Sequence, residues 1–161
     1  QSLYEELLAK DEQIKSIELQ LQALLKNNAD YKRIQQVPGV GPVVAAWVIA
    51  TIGTGKQFDN GRQFAAWIGI TPKQFASGDN DRHGGITKRG NKEMRRLFIY
   101  GARSLMSWCH KYTDRFNLWI RSLMETKPYG KVIVALANKL ARMTWSVLAK
   151  GEDYKAPGAN I

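Results

Sequence analysis

The sequence GITPKQFASGDNDRHGGITKRGNKEMRR, residues 69–96, decides how the chain is organised. Its first part is rich in glycine and polar residues, a composition that interrupts regular structure, so we predict a loop over about residues 70–90, followed by a helix. The stretch is also strongly cationic, which indicates an anionic ligand. Seven basic residues stand against three acidic ones: Lys73, Arg82, Lys88, Arg89, Lys92, Arg95 and Arg96 against Asp79, Asp81 and Glu93.

One small hydroxyl, that of Ser77, lies in the middle of this loop directly before Gly78. Glycines let backbone N–H groups come close to a ligand, and Arg and Lys pair with phosphate. We therefore predict that nucleic-acid phosphate meets the protein here and that Ser77 attacks it. A serine hydroxyl is a weak nucleophile unless it is deprotonated or the developing charge is stabilised, which nearby guanidinium groups would do. The alternative is that Ser77 belongs to an ordinary turn or helix cap.

The charge of the chain is large and unevenly distributed. The formal net charge of the 161 residues is +10; residues 1–36 hold 5 Lys and Arg against 6 Asp and Glu, and the remainder holds 19 against 8. This predicts a polyanionic partner, most simply nucleic acid, for the second part of the chain, although a charge that serves only solubility is the other interpretation. The single cysteine, Cys109, excludes an internal disulfide, fits a reducing compartment and is expected in the core.

Residues 3–35 are predicted to form one long helix, within a coiled-coil arm of residues 1–36. No Gly or Pro interrupts the segment, and a seam of alternating four- and three-residue spacing is typical of a coiled coil. A long amphipathic helix that packs on its own domain is the alternative. Because the chain opens inside this pattern without an initiator Met, we expect a fragment of something longer. The seam consists of Leu3, Leu7, Lys10, Ile14, Ile17, Leu21 and Leu24.

The segment VPGVGP, residues 37–42, separates the arm from an apolar helix predicted over residues 43–53. This order is that of a helix-hairpin-helix element, in which Gly39 and Gly41 allow a tight turn. Backbone N–H groups at the following helix N-terminus would then bind phosphate without reading sequence. A plain turn between two helices, with glycine caps, is the alternative.

The remaining pattern is helical and predicts an all-α domain over residues 37–155, with a tail at 156–161. Helices are expected over residues 62–68, 88–109, 113–126 and 131–150, each with an apolar stripe. We see no strand pattern, no secretory signal and no apolar run of transmembrane length. Lys92, Arg96 and Arg103 share one face of the 88–109 helix, which we interpret as a phosphate track rather than as a solvated charged face.

Several other chemistries are excluded by spacing. The run Asp79-Asn80-Asp81 resembles the start of a calcium loop, but Gly90 stands where that loop needs Glu. Two histidines, His83 and His110, are too isolated for zinc. A two-metal nuclease needs converging carboxylates, and the hydrolase pattern Gly-x-Ser-x-Gly is missing from the sequence. We therefore expect no catalytic metal in this chain.

A set of motifs in order makes the chain similar to a known family. The motifs are GITP at 69–72, ASG at 76–78, GITKRGN at 85–91, RRL at 95–97, PGVG at 38–41, KVIVALANKLA at 131–141 and GEDY at 151–154. Together they resemble the C-terminal domain of the Piv-type DNA invertases and their insertion-sequence transposase relatives, the bridge-RNA-guided recombinases. The resemblance covers nearly all of the chain after the arm.

The resemblance implies a DNA transposase or recombinase of the bacterial, nucleoid-associated cytoplasm. In that family a RuvC-like domain with an acidic metal site, where Mg is expected, precedes a coiled coil and a serine domain. The matching serine is Ser77, which would form a phosphoserine link to DNA; Ala76 stands where relatives often have a second serine. The resemblance also implies a guide (bridge) RNA and a fragment that binds DNA without recombining it alone. Self-association through the arm is predicted by the heptad seam itself.

The residues expected to serve DNA binding form one set around Ser77: Gly39, Gly41, Arg82, Lys88, Arg89, Lys92, Arg95 and Arg96. The runner-up hypothesis is a non-catalytic helix-hairpin-helix module that binds DNA and supports assembly. A third is a coiled-coil assembly domain whose charge is incidental.

Overall fold

The computed structural model describes the backbone of residues 2–77 and 80–156, and the side chains of residues 2–73 and 84–156. Within these ranges the chain is mainly α-helical, as predicted, with one two-stranded sheet. The elements are α1 Leu3–Leu25, α2 Ala29–Ile34, α3 Pro42–Ile52, α4 Gly61–Ile68, β1 Pro72–Ser77, β2 Asn80–Ile86, α5 Lys92–Trp108, a 3-10 turn Cys109–Lys111, α6 Arg115–Thr126 and α7 Tyr129–Lys150.

The arm is two helices rather than the single helix predicted over residues 3–35. Helix α1 ends at Leu25, and α2 starts after Asn28, whose side-chain oxygen accepts a hydrogen bond of 3.0 Å from the Tyr31 N–H. Asn is a favoured N-cap, and such a cap begins a new helix without any Gly or Pro. The new start at Asn28 turns Tyr31 and Ile34 into the core, whereas α1 has no buried residue.

The turn between α2 and α3 packs directly on α5. Gly39 has a positive φ of 78°, and an added Cβ there would lie 3.0 Å from the carbonyl oxygen of Gly101. On the other side, a Cβ on Gly101 would overlap the carbonyl oxygen of Gly39. Two facing glycines thus bring the turn and the helix into backbone contact, and buried Val37 and Val40 flank the contact.

Helix α7 is the centre of the core and packs against α2, α4, α5 and α6. Its length and its mean hydropathy of 1.3 over an 18-residue window would suffice for a membrane span, but half of that window is buried inside the protein. The expectation that no apolar run reaches transmembrane length was therefore wrong for this helix. Its buried stripe is Val132, Ile133, Leu136, Ala137, Leu140, Ala141, Thr144, Val147 and Leu148.

The prediction of a loop without strands over residues 70–90 was wrong. β1 and β2 form an antiparallel hairpin in which Ser77 is paired with Asn80 and Pro72 with Ile86, with an irregular register near Pro72. Apolar and polar residues do not alternate here, so the usual strand signal is missing. The dipeptide between the paired residues, Gly-Asp, is nevertheless of a type that favours two-residue hairpin turns.

Helix α5 also begins later than predicted. Its N-cap is Asn91, whose side-chain oxygen accepts a 2.9 Å hydrogen bond from the Met94 N–H. Lys88 and Gly90 precede it with positive φ values of 57° and 94°, which a helix cannot accommodate. Lys88 and Arg89 consequently lie on the connection from β2, beside the helix start and not on its face.

Candidate nucleic-acid interface

The base of the hairpin is held by glycines that nothing larger could replace. Gly69 and Gly90 have φ values of 79° and 94°. A Cβ on Gly69 would overlap the carbonyl oxygen of Arg89, and one on Gly90 would overlap that of Trp67. Backbone therefore lies on backbone where the chain enters and leaves the hairpin.

Hydrogen bonds complete this base. The Thr87 N–H donates to the Thr71 carbonyl at 2.9 Å, and the Lys88 N–H donates to that of Gly69 at 3.1 Å. From α7, the side-chain amide of Asn138 donates to the Ile70 carbonyl at 3.3 Å. The hairpin carrying Ser77 is thus joined at its base to the end of α4, the start of α5 and the middle of α7.

Arg95, one of the predicted phosphate binders, has a partner inside the protein. Its guanidinium is half-buried and donates a 2.9 Å hydrogen bond to the carbonyl of Ile68 at the end of α4. A cation is favourable at a helix C-terminus, where carbonyl groups lack intrahelical partners. This geometry gives Arg95 a structural contact that sequence could not indicate.

The other predicted cations with described side chains are exposed around the hairpin base. Lys88 and Arg89 lie on the connection that leaves β2, and Lys92 lies in the first turn of α5. Arg96, one turn later, forms a 2.9 Å ion pair with Glu93 and lies 5.9 Å from the ring centre of Tyr100. A hydrogen bond with Tyr100, and then the charge of Glu93, raise the pKa of Arg96, so it remains a cation.

Ser77 and Arg82 are placed by their backbones only. Ser77 is the last residue of β1 and Arg82 is paired with Phe75 on the facing strand. Their side chains lie outside the described part of the chain, as do Gly78 and Asp79 entirely. The predicted meeting of the Ser77 hydroxyl with guanidinium groups therefore stays a prediction.

The two glycines of the predicted helix-hairpin-helix turn have different surroundings. Gly41 is exposed, is the N-cap of α3, and would meet nothing if it carried a Cβ. Pro42, the first residue of α3, has no N–H, so Val43 and Val44 supply the N–H groups without an intrahelical acceptor at this end, and Val44 is buried. Gly39 instead turns its Cα against Gly101 and Leu105. A packing role thus accounts for Gly39 without a ligand.

A cationic groove along α7 was missed by the sequence analysis. It has a volume of about 740 Å³. Its lining includes Arg62, Trp119, Asn138, Lys139 and Arg142. The available signal was the spacing of Lys131, Lys139 and Arg142 on the face of α7 opposite the core stripe.

Metal ligands do not cluster in the described part of the chain: no three His, Cys, Asp or Glu side chains there are grouped so as to hold an ion. The salt bridges found among the same residues join Arg33 to Asp30 and Asp153, and Arg96 to Glu93. The site described so far therefore consists of cations, glycine-lined backbone and a serine on a hairpin.

The geometry defines the class of protein: a mainly helical domain that carries a small β-hairpin beside a cationic helix. Comparison with known sequences then gives the family. Residues 31–117 match the Transposase IS116/IS110/IS902 family, and the chain belongs to it.

Named relatives agree with this assignment. The chain is 40% identical over 156 residues to a "Probable family 20 transposase" of Pseudomonas aeruginosa, a match that covers 97% of this chain and 46% of that protein. It is 42% identical over 153 residues to the "Transposase for insertion sequence element IS1111A" of Coxiella burnetii, covering 95% and 42%. It is 34% identical to the IS1328 transposase of Yersinia enterocolitica, covering 89% and 43%. The chain thus spans less than half the length of these relatives.

Proposed function

We propose that this chain is the DNA-binding, serine-bearing part of an insertion-sequence transposase. Membership of the transposase family supports the reaction class, and the relatives carry transposase names. One observation supports locating the site here, and it is the position of the hairpin. The hairpin presents Ser77 at the end of β1 on a base fixed by glycine contacts and surrounded by exposed Lys88, Arg89 and Lys92.

The proposed chemistry is phosphoryl transfer to Ser77. Its Oγ forms a bond to a DNA phosphorus while the bond from that phosphorus to the 3′ oxygen breaks. The hydroxyl proton leaves Ser77, and a proton reaches the departing oxygen, so that charge balances. Cationic side chains near the phosphate would stabilise the charge on its oxygens. Attack by a second strand's 3′ hydroxyl on the phosphoserine would rejoin DNA and restore the serine.

Parts of this proposal lie outside the matched region. A RuvC-like acidic domain holding Mg, and a guide RNA, are implied by the resemblance and would act together with this chain. We infer that the chain alone binds DNA and does not exchange strands. The described residues support the DNA-binding half of that division, because exposed Lys88, Arg89, Lys92 and Arg96 are available to phosphate.

Self-association through α1 is part of the same proposal. The seam residues Leu3, Leu7, Ile14, Ile17 and Leu24 are between 54% and 87% exposed, whereas Leu21 and Leu25 rest against the core. Exposed apolar side chains at heptad spacing are what one strand of a coiled coil presents to another. A second copy of this helix is the partner we propose.

The alternative function is DNA binding without catalysis. The observation that favours it is the exposed N-cap of α3 at Gly41, where phosphate would bind in the same way whether or not Ser77 reacts. In that case the cations around the hairpin base would position DNA for chemistry performed elsewhere.

Adduct trapping distinguishes the two functions. In a chimeric protein, this chain replaces the matching region of the Pseudomonas aeruginosa relative. The chimera is mixed with a nicked duplex that traps covalent intermediates, and the products are analysed by denaturing gel and peptide mapping. We expect an adduct at Ser77 that Ser77→Ala abolishes and Ser104→Ala, a change of an exposed serine on α5, does not. Duplex affinity should be equal in all three. An adduct that persists in Ser77→Ala, or that maps to another residue, rejects the nucleophile.

A further inference from the structure

Helix α7 presents a second, polar face opposite its buried stripe. Lys131, Ala135, Asn138, Lys139 and Arg142 follow one another at spacings of four, three, one and three residues, which places them along one side of a helix. From Lys131 to Arg142 this face extends roughly 16 Å at the usual helical rise. It is therefore a linear surface rather than a point site.

Two grooves adjoin along this face. The cationic groove of about 740 Å³ and a second groove of about 760 Å³ share Ala135 and Asn138 in their linings. The second reaches the hairpin at Pro72 and Gly84–Ile86, and the first reaches Arg62 on α4. Together they lead from the base of the hairpin, along α7, to the start of α4.

The charge of this surface is of one sign. The ion pairs found among the described residues do not include Arg62, Lys131, Lys139 or Arg142. The described residues that line the two grooves include no Asp or Glu. Two carboxylates, those of Glu152 and Asp153, line a separate cleft that shares Met143 and Ser146 with the first groove. A row of cations without carboxylate partners is stabilised when an anion binds to it.

The state of Lys139 agrees with this interpretation. Its pKa is lowered, first by burial and then by the charges of Arg142 and Arg115. Its ammonium lies 4.1 Å from the ring centre of Trp119, which also stacks with Phe116. The second tryptophan of the groove, Trp145, donates its indole N–H to the Gly55 carbonyl at 2.9 Å. The Trp119 ring is thus engaged by Lys139 and Phe116, and the N–H of Trp145 has a partner within the protein.

We propose that this face of α7, with Arg62, binds the sugar-phosphate backbone of duplex DNA that extends away from the hairpin. A length of roughly 16 Å corresponds to about five base pairs. The groove offers a row of cations over that length, and its Trp119 ring is contacted by Lys139 and stacked with Phe116, which favours contact with duplex backbone over stacking on an unpaired base. The contacts are to phosphate, which predicts affinity without sequence preference.

This inference rests on the proposed function only in taking DNA as the ligand. Separate variants test the groove and the hairpin site, so either proposal can be rejected without the other. Lys92→Gln with Arg96→Gln removes cations beside the hairpin and tests that site. Arg62→Gln with Lys139→Gln and Arg142→Gln tests the α7 groove. All five side chains reach the surface, so both variants are expected to fold, which circular dichroism checks.

The measurement is the affinity of the 161-residue chain for a 24-base-pair duplex across a salt titration. We expect the groove triple variant to lose affinity on the order of 100-fold at 0.15 M salt and to have a salt slope shallower by about 2 to 3. The control triple Lys15→Gln, Lys26→Gln and Lys32→Gln removes the same charge from exposed positions of the arm region. Equal affinity and equal slope in the two triple variants would overturn the proposal.

Two further arms decide the nature of the ligand and the location of contact. Single-stranded DNA and single-stranded RNA of matched length are titrated alongside; a loss confined to either of these would overturn the assignment to duplex DNA. For location, Ser146→Cys in the groove carries a thiol-reactive photocrosslinker, since the natural Cys109 is buried. We expect crosslinking to the duplex, stronger than from Ser16→Cys on α1. Binding without crosslinking from position 146 would contradict the groove as the contact.

Discussion

The carbonyl oxygen of Gly39 occupies the place where a side chain at Gly101 would begin. The α2–α3 turn and α5 are therefore in backbone contact, and Gly101→Ala should force them apart. We expect the free energy of unfolding to fall by about 1–3 kcal/mol, because the obstructing atom is backbone and cannot rotate away. Urea denaturation measures it.

The matched control is Gly130→Ala near the start of α7, where an added Cβ would meet nothing. Removing a helical glycine there should raise the free energy of unfolding by about 0.5–1 kcal/mol. If both variants shift stability in the same direction, the contact between Gly39 and Gly101 does not constrain the fold as described.

Arg95 and Arg96 are neighbours in sequence with opposite expected roles. Arg95→Gln removes the hydrogen bond from a charged group to the Ile68 carbonyl and should lower the free energy of unfolding by about 1.5–3 kcal/mol. Arg96→Gln removes an exposed cation and should leave stability unchanged, while reducing the salt slope of DNA binding by about 1. Thermal denaturation and salt titration of both variants test these two roles. A loss of stability from Arg96→Gln alone would mean that Arg96, and not Arg95, has the structural role.

Lys139 predicts a pH dependence of stability. Its pKa is lowered in the folded chain, so the unfolded chain holds more protons between that lowered value and the ordinary 10.5. Stability contributed by this residue therefore rises with pH through that window. Lys139→Met should be more stable than the parent at pH 7, and the difference should shrink as the pH approaches 10.5.

The comparison isolates Lys139 from two tyrosines. Burial raises the pKa of Tyr31 and Tyr154, which lowers stability above pH 10 in the parent and in the variant alike. Lys127→Met, which removes a lysine from an exposed position after α6, serves as control for the loss of one positive charge. A constant difference between Lys139→Met and the parent from pH 7 to 10.5 would contradict the prediction.

The exposed seam of α1 predicts concentration-dependent association. Ile14 is 54% exposed and lies on the seam, whereas Leu19 is 66% exposed and lies off it. Ile14→Glu should abolish self-association measured by sedimentation, with an unchanged melting temperature of the monomer. Leu19→Glu places the same charge on the same helix and should associate like the parent. Equal loss in both variants would mean that the contact is not a heptad seam.

The helical part of this fold could be predicted from sequence because its stripes are long and regular. Helices α5, α6 and α7 were placed by apolar residues at three- and four-residue spacing, and α3 by its continuous apolar run. Helix α7 ends at Lys150 as predicted, with Gly151 as its C-cap at a φ of 65°. The hairpin could not be placed in this way. Its stability comes from backbone contacts of Gly69 and Gly90 with distant segments, and these leave no periodic pattern in the chain.

The candidate site was predictable in composition and less so in geometry. The concentration of cations near residues 82–96 was evident, but the partner of Arg95 is a carbonyl 27 residues earlier in the chain. The groove beside α7 was not predicted, because the apolar stripe of a helix indicates its buried face and does not indicate which exposed side chains line a groove. The cations of α7 form a groove only together with Arg62 of α4, which the fold brings beside them.

The glycine pair at positions 69 and 90 has one more consequence. Both strands of the hairpin leave the helical body through positions that admit no side chain, and Ile70, directly after the first of them, is fully buried. A Cβ at Gly85 in β2, by contrast, would meet nothing. Sequence variation that leaves the helical body intact is thus expected inside the hairpin and not at its two junctions.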